Sequence, residues 1–296
     1  MTEDAVSFGR EGSLIGIISD PPFRSQRNEA SAVLLLNAGL VYHIGPNRLN
    51  VKIARRLAGA GRVAMRFDFA GIGDSRPHAD PTPFDQSAIG DAMDAMDYLQ
   101  ATRGIERFVI AGVCLGTDVA LQVAYRDPRV VGAVLINVRE YRESGDAGHS
   151  GAGAGAGPEA SSYLQARTNL RYYGSRLFSV RHWARLFSGR SNLRGIVGTV
   201  TTLLEMHGLA RSETSQAEAA PDLRRLMERG VRLLVVYSDG SPTWDLYRSR
   251  FEREFRSLRA EGKLRVELAK HTDHVFTLLW AQQHLVELIE GWAAAL

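Results

Sequence analysis

A single cysteine, Cys114, stands in 296 residues, which excludes an internal disulfide and any thiolate cluster around a metal. The longest apolar stretches, such as SAVLLLNAGLV (31–41), stop well short of the roughly 20 residues that a membrane-spanning helix needs. The opening MTEDAVSFGREGS lacks the basic-then-apolar pattern of a signal peptide. These absences predict a soluble, cytoplasmic protein without stable membrane insertion, in which a free thiol stays reduced. Internal repeats are missing, and no residues have metal-ligand spacing. The lone G-x-G of GIG (71–73) lacks the spacing of a dinucleotide site, and GPNR (45–48) is no phosphate loop. Neither a metal nor a cofactor is expected. Aromatic–basic interleaving is also missing, so nucleic acid is not an expected partner.

What is present suits a core: 45% of the residues are hydrophobic, enough for one large α/β domain or a domain with an insertion. After an opening hairpin (AVSFGREGSLIGIIS, 5–19), apolar runs rich in β-branched residues occur at 32–37, 62–67, 107–112, 130–137, 231–237 and 264–269. Between the first two, Leu49, Ile53 and Leu57 form a helical stripe; Ile89, Met93, Met96 and Leu99 form another before the third. Continuous apolar strands alternating with amphipathic helices predict a mostly parallel sheet covered by helices on both faces. The alternation breaks between Ile136 and Leu233. There the Gly/Ala-rich GDAGHSGAGAGAGPEASS reads as a flexible linker, followed by an aromatic, basic, helix-compatible stretch. The expected organisation is a core of 1–140 and 216–296, with 141–215 as linker plus helical cap. An insertion after a strand's C-terminal end lies over the face where α/β sheets bind ligands, so the cap is expected to act as a lid. Between Tyr163 and Arg211 eight arginines face one acid, Glu205. That imbalance is either a solvated basic face or a docking surface for a phosphorylated carrier, a CoA-like phosphate or an anionic membrane.

Cys114 lies in GVCLGT (112–117), between an apolar run and a helical pattern. The turn from strand to helix strains the central residue and crowds its neighbours, which glycines at 112 and 116 would relieve. The following helix would aim its N-terminus at a thiolate or a developing oxyanion. In isolation a free cysteine reads as a small buried hydrophobe, its usual fate; the strand-turn-helix context turns the reading to a nucleophile.

The residues at 37–75 (NAGLVYHIGPNRLNVKIARRLAGAGRVAMRFDFAGIGDS), the G-x-C-x-G elbow, VLINVRE (134–140) and TDHVFT (272–277) resemble the α/β-hydrolase superfamily. Within it they are most similar to bacterial serine-aminopeptidase-like and exosortase-associated hydrolases, with cysteine in place of serine at the elbow. The resemblance covers nearly the whole chain except the cap. It implies the α/β-hydrolase fold and a catalytic triad of Cys114, His274 as general base, and an acid after the strand at 231–237. In SDGSPTWD (238–245) the expected aspartate is Ser241; Asp239 is the candidate acid and Asp245 its alternative. By the same resemblance the backbone N–H groups of Leu115 and Leu40 form the oxyanion hole, with Gly39 giving the backbone room. His271 reads as a polar loop residue, and His43 as a loop-structuring residue or a substrate contact. Asp68 and Asp74, in RFDFAGIGDS, read as turn-holding carboxylates rather than an acid/base pair.

A thiol nucleophile makes the acyl-enzyme a thioester, which passes readily to a thiol, amine or alcohol. The expected function is therefore acyl transfer, by a thioesterase or transacylase acting on a hydrophobic acyl ester or thioester. The donor could be held on an acyl or peptidyl carrier protein or on CoA, in secondary-metabolite or surface-polymer biosynthesis. The alternatives are a carboxylester hydrolase, a noncatalytic binding protein that keeps the hydrolase shell, and a polyester-synthase-like enzyme, a group that also uses a G-x-C-x-G elbow.

Overall fold

The apolar runs become strands of one eight-stranded sheet in a computed structural model that describes residues 1–22, 31–79, 82–138 and 220–296. The strands are β1 (Thr2–Phe8), β2 (Leu14–Asp20), β3 (Ala32–Leu35), β4 (Ala64–Phe67), β5 (Phe108–Val113), β6 (Val130–Ile136), β7 (Arg232–Ser238) and β8 (Leu264–Ala269). They run in the order β1-β2-β4-β3-β5-β6-β7-β8. The opening hairpin β1–β2 and the β2–β4 pair are antiparallel, and every later pair is parallel. The linker and cap assigned to 141–215 lie outside the described residues.

The central strands lack polar alternation because helices cover both faces. In β5, Phe108 and Ile110 join the cluster that also holds Val119, Ala120 and Val123 of α3 (Leu115–Arg126). Val109, Ala111 and Val113 point the other way. There they meet Leu49, Ile53 and Leu57 of α1 (Leu49–Gly59) and Leu285, Ile289 and Trp292 of the C-terminal helix (Leu279–Ala294). Each large side chain buried in this way contributes about 1.5–3 kcal/mol. The α1 stripe is the one the sequence predicts. In α2 (Phe84–Arg103) the buried face is instead Ala88, Ala92, Ala95, Met96 and Leu99, while Ile89 and Met93 are half-buried. Alanines let this helix lie close to the sheet, and a search for large apolar residues passes over them.

The remaining described helices are α4 (Ala220–Glu228), α5 (Pro242–Leu246) and α6 (Glu252–Ala260), with the C-terminal helix as α7. A single π turn, Tyr247–Phe251, joins α5 to α6. Here Tyr247, Tyr237 of β7 and Trp244 of α5 form a cluster of three mutually touching rings, with centroids 5.1, 5.4 and 5.8 Å apart. This cluster ties α5 to the C-terminal end of β7. The chain leaves β3 through α1 to β4 and returns through α2 to β5, so the C-terminal ends of β3 and β5 flank a topological switch point, where such sheets bind ligands. Cys114 follows β5 directly.

Candidate active site

Between β5 and α3, Cys114 adopts φ 53°, ψ −115°, a sparsely populated conformation costing about 1–3 kcal/mol. Its N–H still donates to the Ile136 carbonyl at 2.9 Å, and its own carbonyl accepts from the Thr117 N–H at 3.0 Å and from the Thr117 hydroxyl. The elbow glycines are sterically required. A Cβ on Gly112 would lie 2.2 Å from the Gly116 carbonyl oxygen, and one on Gly116 would lie 2.6 Å from the Asn37 carbonyl oxygen. Strand, turn and helix thus touch backbone to backbone, and Cys114 is left half-buried at the apex. It packs against the apolar cluster that holds Val113, Phe276 and the buried face of α1, as does the half-buried Ala38.

His274 occupies the loop between β8 and α7, and three contacts set its backbone. Its carbonyl accepts from Asn137 Nδ2 at 2.8 Å. Asp273 bonds the Thr277 N–H at 2.7 Å and the Thr277 hydroxyl at 2.6 Å; burial pushes its carboxyl pKa up, but these bonds outweigh burial and hold it below the usual range. Phe276 is fully buried at φ 54°, an unusual conformation for a bulky residue, and it plugs the loop into the core.

The partner of His274 Nδ1 is Ser241, whose Oγ lies 2.8 Å away. The hydrogen bond that the sequence reading assigns to Asp239 is therefore made by the residue two positions later. Asp239 instead accepts the backbone N–H groups of His271 (2.7 Å) and Thr272 (3.0 Å). Burial acts to raise its pKa, but those amides hold it below the ordinary carboxylate value. The turn leaves little choice: a Cβ on Gly240 would sit 2.6 Å from the Thr272 carbonyl oxygen, so the two loops meet backbone to backbone with Asp239 clamping them. Ser241 is completely buried and caps α5, its Oγ accepting the Thr243 N–H. Asp245 lies half-buried in the first turn of α5. His271, at φ 56°, is an exposed loop residue.

At the proposed oxyanion position, Gly39 adopts φ 62°, and a Cβ there would lie 3.2 Å from Leu115 Cδ1, so the loop after β3 passes directly over the elbow. Among the described residues neither the Leu40 nor the Leu115 N–H donates to a backbone carbonyl. That of Leu115 is the first amide of α3, which has no intrahelical acceptor.

Two buried asparagines to which the sequence assigns no role organise these loops. Asn37 donates to the Val41 carbonyl and to Asp68 Oδ1, both at 2.9 Å, and accepts the Phe69 N–H at 3.0 Å. Asn137 ties β6 to the His274 loop and accepts the Ser238 N–H at 2.9 Å. Each directly follows an apolar run, in LLLN and VLIN. A polar residue at that point was their only signal.

His43, Asp68 and Asp74 offer ligand atoms within 4.8 Å of one another. Asp68 is fully buried, and each of its oxygens already meets two N–H groups: His43 N and Asn37 Nδ2 at Oδ1, His43 Nδ1 and Asp74 N at Oδ2. Burial raises its pKa, but bonds from His43, Asn37 and Asp74 prevail and hold it below the usual value. The carboxylate ties the loop after β3 to the turn at 68–75. With its lone pairs engaged in this way, the group is a poor fit for an ion.

No protein-family model and no curated protein matches the chain. Among solved structures it is similar to an esterase from Pyrococcus furiosus, with 15% identity and a TM-score of 0.56 over 99% of this chain and 90% of that one. A proline iminopeptidase from Mycobacterium smegmatis gives 14% and 0.54, over 99% and 98%. An α/β serine hydrolase homologue from Coxiella burnetii gives 12% and 0.52, over 98% and 96%. At such identities the likeness establishes architecture: the chain has the α/β-hydrolase fold.

Proposed function

We propose that this α/β-hydrolase fold carries an acyl-transfer enzyme that holds the acyl group on Cys114 as a thioester and acts as a thioesterase or transacylase on a hydrophobic acyl thioester or ester. The observation that carries the reading is the conformation of Cys114, held at the apex of a strand-to-helix turn that the backbone contacts of Gly112 and Gly116 enforce. Such strain at a potential nucleophile is a mark of function.

In this mechanism His274, through Nε2, takes the thiol proton, and Sγ attacks the substrate carbonyl carbon. The negative charge that develops on the carbonyl oxygen is received by the N–H groups of Leu115 and Leu40. The tetrahedral adduct collapses, the bond to the leaving thiol or alcohol breaks, and that group departs with the proton from His274. The acceptor then repeats the sequence in reverse, giving its proton to His274 as it attacks the thioester, and the Cys114 thiol is restored. Asn137 and Ser241 hold the base from two sides.

The partner at Nδ1 supports the choice of reaction. A serine hydroxyl is neutral, so it stabilises an imidazolium less than a carboxylate would. A thiol, with a pKa near 8.5, asks far less of the base than an alcohol or water does. A thiol nucleophile and a thiol or amine acceptor therefore match this site. Apolar side chains exposed on the loop after β3 (Leu40, Tyr42), at the elbow (Leu115) and beyond His274 (Val275, Leu278) offer surface to an acyl chain. A carrier protein or CoA would present that chain as a thioester. Hydrolysis of a carboxylester by the same thiol is the second reading, and the likeness to the Pyrococcus esterase favours it.

A competition assay separates the two. The protein is given an S-acyl N-acetylcysteamine donor in water, with and without millimolar pantetheine. Exchange onto pantetheine should outrun hydrolysis by about tenfold or more, because the thiol needs less base assistance. Hydrolysis that is indifferent to the added thiol, with faster turnover of oxygen esters, would favour the esterase reading.

A further inference from the structure

The hydroxyl on Nδ1 of His274 is not alone. Ser241 Oγ also lies 2.7 Å from Thr243 Oγ1 and 3.3 Å from the Thr243 N–H, which donates to it. Ser241 is fully buried and Thr243 is 6% exposed. A hydroxyl has one hydrogen and two lone pairs. With one lone pair taken by the Thr243 N–H, the hydrogen and the other lone pair must be divided between Thr243 Oγ1 and His274 Nδ1.

Only two divisions exist. Either Ser241 donates to Thr243 and accepts Nδ1–H, leaving Nε2 bare and able to take a proton. Or Thr243 donates to Ser241, Ser241 donates to Nδ1, and the ring proton sits on Nε2, where the histidine cannot act as a base. A carboxylate at 241 could only accept and would fix the first arrangement. A pair of hydroxyls can adopt both.

We propose that Ser241 and Thr243 form a two-position hydroxyl relay that sets the tautomer of His274, with Thr243 as a positioning residue that never touches substrate. The inference rests on the reading of His274 as the general base. In the competent arrangement Thr243 Oγ1 receives the Ser241 hydrogen; without that acceptor the hydrogen turns to Nδ1 and the base is lost.

The test joins kinetics to ¹⁵N NMR of the His274 ring. Thr243→Val keeps the shape and the amide while removing the acceptor. It should lower kcat by about a hundredfold, the scale of lost general-base assistance, with KM little changed. The ring should move to the Nε2–H pattern, and Thr243→Ser should restore both. In a Ser241→Asp background the valine penalty should vanish, because a carboxylate accepts whatever stands at 243. A folded Thr243→Val protein with unchanged kcat and ring shifts would overturn the relay. So would a valine penalty that persists beside Ser241→Asp. The wild type provides a measurement that no misfolded variant can spoil: a relay averages both nitrogens between protonated and bare, whereas a ring fixed as Nε2–H contradicts it. Failure of the proposed function is separately visible, since activity would survive Cys114→Ala while the ring shifts still followed residue 243.

Discussion

Cys114→Ala is expected to lower the turnover of an acyl thioester by at least about a thousandfold, because removal of a covalent nucleophile leaves only binding and oxyanion stabilisation. The loss should be chemical rather than structural. Cys114 is half-buried at the edge of its cluster, and its main-chain bonds to Ile136 and Thr117 do not depend on the sulfur. The thermal midpoint should therefore shift by only a few degrees. Cys114→Ser is the sharper companion. If the low demand of a thiol is what permits a serine at the Nδ1 position, an alcohol in its place should stay at least about a hundredfold below wild type. A serine variant matching the wild type would mean that His274 is a stronger base than its Ser241 partner implies. Steady-state rates with one thioester donor decide both.

Gly112→Ala is expected to be among the most destabilising substitutions in the chain, at about 3 kcal/mol or more. Ordinary overpacking costs about 1–3 kcal/mol because side chains can shift. Here the new methyl would meet the Gly116 carbonyl oxygen at 2.2 Å, its carbon at 2.3 Å and the Thr117 nitrogen at 2.7 Å. None of these is a side chain. Relief requires β5 and α3 to separate, which also moves Cys114. Gly90, inside α2, is the control: beyond its chain neighbours and its own helix backbone, nothing lies within 4 Å of a Cβ built there, so Gly90→Ala should stabilise by about 0.5–1 kcal/mol through helix propensity. Urea midpoints at constant m-value measure both changes. A Gly112→Ala midpoint equal to wild type would contradict the packing of the elbow.

The contrast between these glycines also shows what a sequence can and cannot carry. The G-x-C-x-G spacing was legible because it records a local fact, a strand meeting a helix within five residues. The strands were legible for a similar reason, since burial on both faces leaves continuous apolar runs such as VLLL at 33–36. Long-range side-chain partners were not. Asp239 and Ser241 differ by two positions in one turn, and which of them meets His274 depends on how that turn packs against residues 270–272, some thirty residues away. Aspartate looks the better partner by charge, yet its carboxylate is claimed by two backbone amides. Asn37 and Asn137 are similar: each joins loops that are far apart in sequence. Nothing in LLLN or VLIN names the other end.

The central claim is that an acyl group rests on Cys114. Intact mass measured within the first turnovers of a slowly transferred acyl thioester, followed by peptide mapping, tests it most directly. The account predicts one acyl mass per chain, localised to the peptide containing Cys114, formed as fast as the first thiol is released and discharged by added pantetheine. Turnover of the same donor with no acyl mass on Cys114 at any time, and undiminished in Cys114→Ala, would contradict it.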